Sequence, residues 1–224
     1  MHTPPPYRRL AAGCLVATAL LSVVSLLTMP DWPDGFEALL ATINDNPTTS
    51  QVSALTFVLS QLPFLVAVVA IGGLVVPRRR VLGSTGVALA LLGGFGHSVY
   101  GGVAMTQLAM AEDTAHHAVH ADLLTDLESS PLVVFMAMGL VGTVLGLLLL
   151  AVGLWRSHAT PSWIPAAIGL FLVTEFVGSA ITDWAAYASS VLYVAAFTGI
   201  AVTIWQRPGV DTNADKLVET QPVH

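Results

Sequence analysis

The chain has 224 residues, of which 54% are hydrophobic and only 10% charged, with a formal net charge of −6. Soluble domains carry about 25% charged residues, so too little polar sequence is present to cover this much apolar surface, and a soluble fold is excluded. A single cysteine, Cys14, excludes an internal disulfide and any multi-cysteine metal centre, and the charge pattern gives no sign of nucleic-acid binding.

In chain order, a polar tail of residues 1–9 precedes a first apolar run over 10–29. A hydrocarbon core of about 30 Å takes roughly 20 helical residues, so this run spans it once. The stretch after it is polar, but Phe36, Leu39, Leu40 and Ile43 recur at helical spacing, which predicts a short amphipathic helix over residues 34–44. Asp34 is placed to cap that helix, whose apolar side is expected to lie on the membrane surface. A second span covers 51–76 and contains Pro63, which lacks an N–H and so opens the helical ladder.

Three consecutive arginines, Arg78, Arg79 and Arg80, precede the third span at 81–110. With no breaker before Leu127, that helix is expected to continue past the membrane. The fourth span covers 132–155. The last apolar block, Trp163 to Trp205, is about twice the membrane thickness as a helix and divides into spans at 163–182 and 187–205. Residues 206–224 form a second polar tail. The fold class is therefore all-α, a polytopic membrane protein with six transmembrane helices, short loops and one or two amphipathic helices outside.

Charge placement tests this count. With odd-numbered spans running outward, all 8 basic residues fall on one side: Arg8, Arg9, Arg78, Arg79, Arg80, Arg156, Arg207 and Lys216. The opposite loops hold Asp31, Asp34, Glu37, Asp45, Glu112, Asp113, Asp122, Asp126, Glu128 and Asp183, and no basic residue. Positive charge marks the cytoplasmic side, so the expected location is the plasma membrane, with both termini cytoplasmic. Trp32, Trp155, Trp163, Trp184 and Trp205 all fall at span ends, where an indole is best placed.

Helices in lipid associate by close packing and polar contact. Gly86, Ala90, Gly94, Ser98 and Gly102 recur every fourth residue, which predicts a ridge of small residues on the third span. Gly142 and Gly146 on the fourth span form a matching pair, expected to receive a neighbouring backbone.

Three sets of residues could carry chemistry. Glu175 lies near the middle of the fifth span, where an ionisable group costs about 2.5–3.5 kcal/mol on insertion scales. Gly178, Ser179 and Thr182 give it a small, polar helix face, so it should point into the bundle. His97 and Gln61 lie at similar depth on the third and second spans, and the three could share one proton- or cation-binding site. The alternative is structural: a neutral Glu175 tying two helices together, and His97 bonded to a backbone carbonyl.

The third set is outside the spans. Asp113, His116, His117 and His120 recur at i, i+3, i+4 and i+7, one face of a helix, and suit a divalent metal or a response to external acidity. A solvated acidic helix accounts for the same pattern, since no established metal motif is present. No second histidine faces His97 at its depth, so no haem is expected, and no catalytic or phosphate-binding motif is present. The leading expectation is a small transporter or permease with its ion site at Glu175 and His97. The alternative is a non-transporting accessory or sensor protein. Expected partners are the lipid bilayer and a second membrane protein or another copy of the chain.

Overall fold

The computed structural model describes residues 5–182 and 184–207. Eight α-helices account for most of them, and among the described residues there is no strand: α1 (Pro6–Thr28), α2 (Phe36–Asp45), α3 (Pro47–Val75), α4 (Arg80–Glu112), α5 (His117–Ser129), α6 (Leu132–Ser157), α7 (Trp163–Phe176) and α8 (Trp184–Gln206). Six of these, all but α2 and α5, are long and apolar enough to cross a membrane once the turn after α7 is included. The chain is an all-α, multi-pass membrane protein. Asp183 and the tail beyond Arg207, with Lys216, lie outside the described residues.

The spans follow one another around a ring. Each packs on the next, α1 on α3, α3 on α4, α4 on α6, α6 on α7 and α7 on α8, and α8 closes back on α1. One end of the ring carries Arg78, Arg79, Arg156 and Arg207, where Arg8 donates to the Arg207 carbonyl and Arg79 to that of Arg156 at 3.4 Å. This is the arginine end. The opposite end carries α2 and α5 and is the cap end. Trp155, Trp163, Trp184 and Trp205 sit in the first or last turns of their helices and Trp32 in the loop after α1, all with exposed side chains.

The half of the ring towards the arginine end has a packed apolar core. Leu15, Ile71, Ala90, Leu150, Ile168 and Ile200, one from each span, are sealed from solvent. Large apolar side chains on the outer faces, Leu59, Leu62, Phe95, Leu170 and Val191 among them, remain exposed, as a lipid-facing surface requires.

The closest helix contact is α4 against α6. A methyl on Gly93 would overlap the Thr143 backbone, one on Gly142 would come within 2.7 Å of Gly93 N, and one on Gly146 would collide with Ala90. Gly86 and Gly96 meet α6 in the same way, Gly86 at Leu150 and Gly96 at Gly139. The four-residue ridge expected on α4 is, however, not one surface. Gly94 faces Leu65 and Phe64 of α3, Ser98 donates back to the Gly94 carbonyl at 2.8 Å, and Gly102 has open space beside it. Four residues turn an α-helix by about 400°, so a strict i+4 row drifts about 40° per step and leaves α6 for α3. The contact with α6 instead runs in steps of four, three and three through residues 86, 90, 93 and 96.

Polar ties join α1 to α3. Ser25 Oγ donates to the Ser53 carbonyl at 2.9 Å while Ser53 Oγ donates to that of Ser25 at 2.8 Å. Thr18 donates to the Ser60 carbonyl at 3.0 Å, three residues before Pro63.

Four expectations about helix ends and faces are corrected. Gly35, with φ +89°, rather than Asp34, precedes α2, and no side chain caps that helix. The apolar face of α2 does not lie on lipid, because Leu39, Leu40 and Ile43 are buried against Ala111 of α4 and Leu124 of α5. The third span does not run on to Leu127: α4 stops at Glu112, Asp113 leaves helical geometry, and a short 3-10 turn leads into α5. The turn between the last two spans is not at 182–187. Helix α7 ends at Phe176, a 3-10 turn covers Gly178–Ala180, and α8 begins at Trp184. Gly178 marks the place, since a methyl there would come within 3.0 Å of the Ala185 Cβ and hold α8 away.

Candidate functional site

A cavity of about 320 Å³ occupies the half of the ring towards the cap end, and all six spans line it. It holds Glu175 from α7, His97 from α4 and Gln61 from α3, the three residues singled out at the sequence level. Serine and threonine hydroxyls from α1, α3, α6 and α8 complete its polar lining, and aromatic rings supply much of the rest. Among the described residues, no arginine or lysine lines it.

Glu175 reaches the cavity by a different route from the one expected. Helix α7 has 14 residues, about 21 Å at 1.5 Å each, and stops short of a full crossing. Glu175 is therefore in its last turn rather than at mid-span. Ser179 and Thr182 fall beyond the helix and are exposed, so they form no polar face with it. The partner of Glu175 comes instead from α8, where Ser189 Oγ donates to its Oε2 through a short hydrogen bond. The C-terminal carbonyls of α7 carry the negative end of the helix dipole, which adds to the negative potential of the carboxylate.

One turn nearer the arginine end, the same two helices bring two rings together. Phe171 precedes Glu175 by four residues and Tyr193 follows Ser189 by four, so on antiparallel helices the two pairs are stacked in register. The Phe171 and Tyr193 ring centroids are 4.9 Å apart, and Tyr193 rests on Phe197 at 4.2 Å. The Tyr193 hydroxyl interacts with those of Thr18 and Ser22 on α1. This aromatic floor was not foreseen from the sequence. The i, i+4 relation of Phe171 to Glu175 was visible, but its pairing with Tyr193 depends on where α7 ends.

His97 and Gln61 form the other side of the cavity. The His97 ring lies edge-on to Phe57 of α3, with centroids 5.7 Å apart, and faces the backbone of Gly139 on α6. Gln61 donates its amide hydrogens to the Phe57 carbonyl at 3.1 Å and to Ser60 Oγ at 3.0 Å, both on its own helix. Thr143 Oγ1 is buried at the cavity wall and has no hydrogen-bond partner. His97 and Gln61 lie near the middles of their helices and Glu175 in the last turn of α7, and all three line the same cavity.

The histidine set at the cap end is only partly assembled. His116 Nδ1 lies 2.9 Å and His120 Nε2 3.2 Å from the Asp113 carboxylate, while His117 turns away to the Ala111 carbonyl at 2.9 Å. The expected single face fails because Asp113 is not helical. Among the described residues, no three histidine, cysteine, aspartate or glutamate side chains are grouped to hold one metal ion. Hydrogen bonds from His116 and then His120 hold the Asp113 carboxyl below the usual carboxylate range.

No family model, curated protein or solved structure matches this chain.

Proposed function

We propose that the protein is a small transporter or permease that binds a proton or monovalent cation at Glu175, with His97 and Gln61 facing it across the same cavity. The supporting observation is the position of the acid: at the C-terminal end of a shortened span, in a cavity lined by every span, with no basic residue beside it. Negative helix ends at mid-membrane breaks are where membrane transporters coordinate coupling ions. In this reading the arginine end is cytoplasmic, because lysine and arginine are retained there, and the cavity lies in the outer half of a plasma-membrane protein. In the same reading the packed half beneath it serves as the gate.

The test is charge movement in proteoliposomes adsorbed to a solid-supported membrane. A pH step should displace charge in the wild type and in Glu175→Asp, and the signal should fall at least tenfold in Glu175→Gln. Glutamine retains an oxygen for Ser189 and so spares the fold. An undiminished signal in Glu175→Gln, or none in the wild type, overturns the reading.

A non-transporting sensor is the second reading, and the Asp113 pairing with His116 and His120 favours it. Protonating either imidazole turns its hydrogen bond into an ion pair at the entrance to α5, which could report external acidity. The glycine contacts of α4, by contrast, are used inside the chain and offer no free ridge for an accessory partner.

A further inference from the structure

Taking Glu175 as the ion site, as proposed above, the lining of the cavity narrows what that site is shaped to hold. An inorganic cation requires several oxygen ligands to replace its hydration shell. The hydroxyl that bonds to Glu175 is that of Ser189, and most of the cavity lining is carbon. The volume, about 320 Å³, is at the lower end of the range for small-molecule sites, roughly 300–1,000 Å³.

The arrangement beside Glu175 has two storeys. Glu175 and Ser189 form one, and about 5.4 Å beneath them, one helical turn, Phe171 and Tyr193 form the other. Phe176 borders the same space. A carboxylate in a cavity lined by aromatic rings attracts an organic ammonium by charge and, at an open ring face, by the ring quadrupole. A metal ion feels the same attractions but must first shed a more tightly held hydration shell, which a mostly carbon lining replaces poorly. With Glu175 in the lining and no arginine or lysine there among the described residues, the cavity favours a cation over an anion.

We infer that this cavity is a binding site for an organic ammonium ion carrying an apolar group, with Glu175 as its counter-ion, Phe171 and Tyr193 as its aromatic floor, and the remaining rings around its apolar part. Two sources share this chemistry, a water-soluble amine and the ammonium head group of a lipid.

The probe is benzyltrimethylammonium, added to the full chain in nanodiscs of phosphatidylglycerol and followed by titration calorimetry, with phenylmethanesulfonate as an anion of similar size. The cation should bind and the anion should not. Glu175→Gln should weaken the cation at least tenfold, and Phe171→Leu, which keeps an apolar side chain but removes the ring, by roughly two- to thirtyfold. Should Glu175→Gln fail to fold, Phe171→Leu and the anion comparison still decide the matter. Repeating the titration in discs containing phosphatidylethanolamine separates the sources: weaker binding there identifies a lipid head group as the occupant, and unchanged binding a soluble amine. Failure of the cation to bind, or binding by Glu175→Gln and Phe171→Leu as tight as by the wild type, overturns the inference. If charge displacement still depends on Glu175 in that case, the ion site stands and only its ligand class falls. If neither signal is present, both fall.

Discussion

Asp113 shows how a single residue can set a boundary. Three residues after it, His116 returns its ring to the carboxylate, and His120 does so from the first turns of α5, so the chain bends where a continuous helix was expected. Both hydrogen bonds favour the ionised form and place the folded-state pKa below the ordinary value of 3.8. A group depressed in this way contributes stability above its unfolded pKa and loses it as the pH falls through the folded one. A carboxyl-detected NMR titration should therefore give Asp113 a midpoint below 3.8, with amide protection at the start of α5 declining through that midpoint. In Asp113→Asn the decline should be absent. A midpoint at or above 3.8 would mean that the histidines do not hold the carboxylate. The acid itself, like Glu175, was legible in the sequence, because an ionisable residue stands out in its context. Its partners were not, since hydrogen bonds to Asp113 and from Ser189 to Glu175 depend on helix ends that no glycine or proline spacing fully specifies.

At the scale of the element, the contact between α4 and α6 is the most exacting. A methyl group on Gly93 meets Thr143 backbone, which cannot move aside as a flexible side chain could, whereas one on Gly102 meets nothing within 4 Å. Gly93→Ala should destabilise the protein by roughly 1–3 kcal/mol, the usual range for overpacking, and lower the thermal midpoint in detergent. Gly102→Ala should leave it unchanged or raise it slightly, because alanine is the better helix former. Equal behaviour of the two variants would show that α4 and α6 are not packed backbone to backbone. The small residues themselves, and the pair Gly142 and Gly146, were readable from composition. Which of them share a neighbour was not: spacing by four suggests one ridge, and the 3.6-residue period divides it between two helices. For α2 the periodicity of Phe36, Leu39, Leu40 and Ile43 predicted the helix correctly but could not say whether lipid or protein would cover it. Protein covers it, through α4 and α5.

Over the whole molecule, the arginines and the acidic loops lie at opposite ends of a closed ring of spans, which gives the orientation proposed above a direct test. In a Cys14→Ser background, a membrane-impermeant maleimide should label Asp122→Cys on intact cells, and Pro77→Cys only after permeabilisation. The reverse pattern would place the cavity in the cytoplasmic half. The sequence by itself determined the number of spans, their approximate limits and the segregation of charge, because these follow from how much apolar length a bilayer needs and where arginine is retained. It also drew attention to Glu175, His97 and Gln61, since polar groups in apolar helices are conspicuous. Only the tertiary structure decided that these three line one cavity, that α7 ends just past the acid, and that Phe171 and Tyr193 form a floor beneath it. The physical reason is that hydropathy is a property of each segment alone, whereas a cavity and the rings that line it exist only once the neighbours of each helix, and its rotation against them, are fixed.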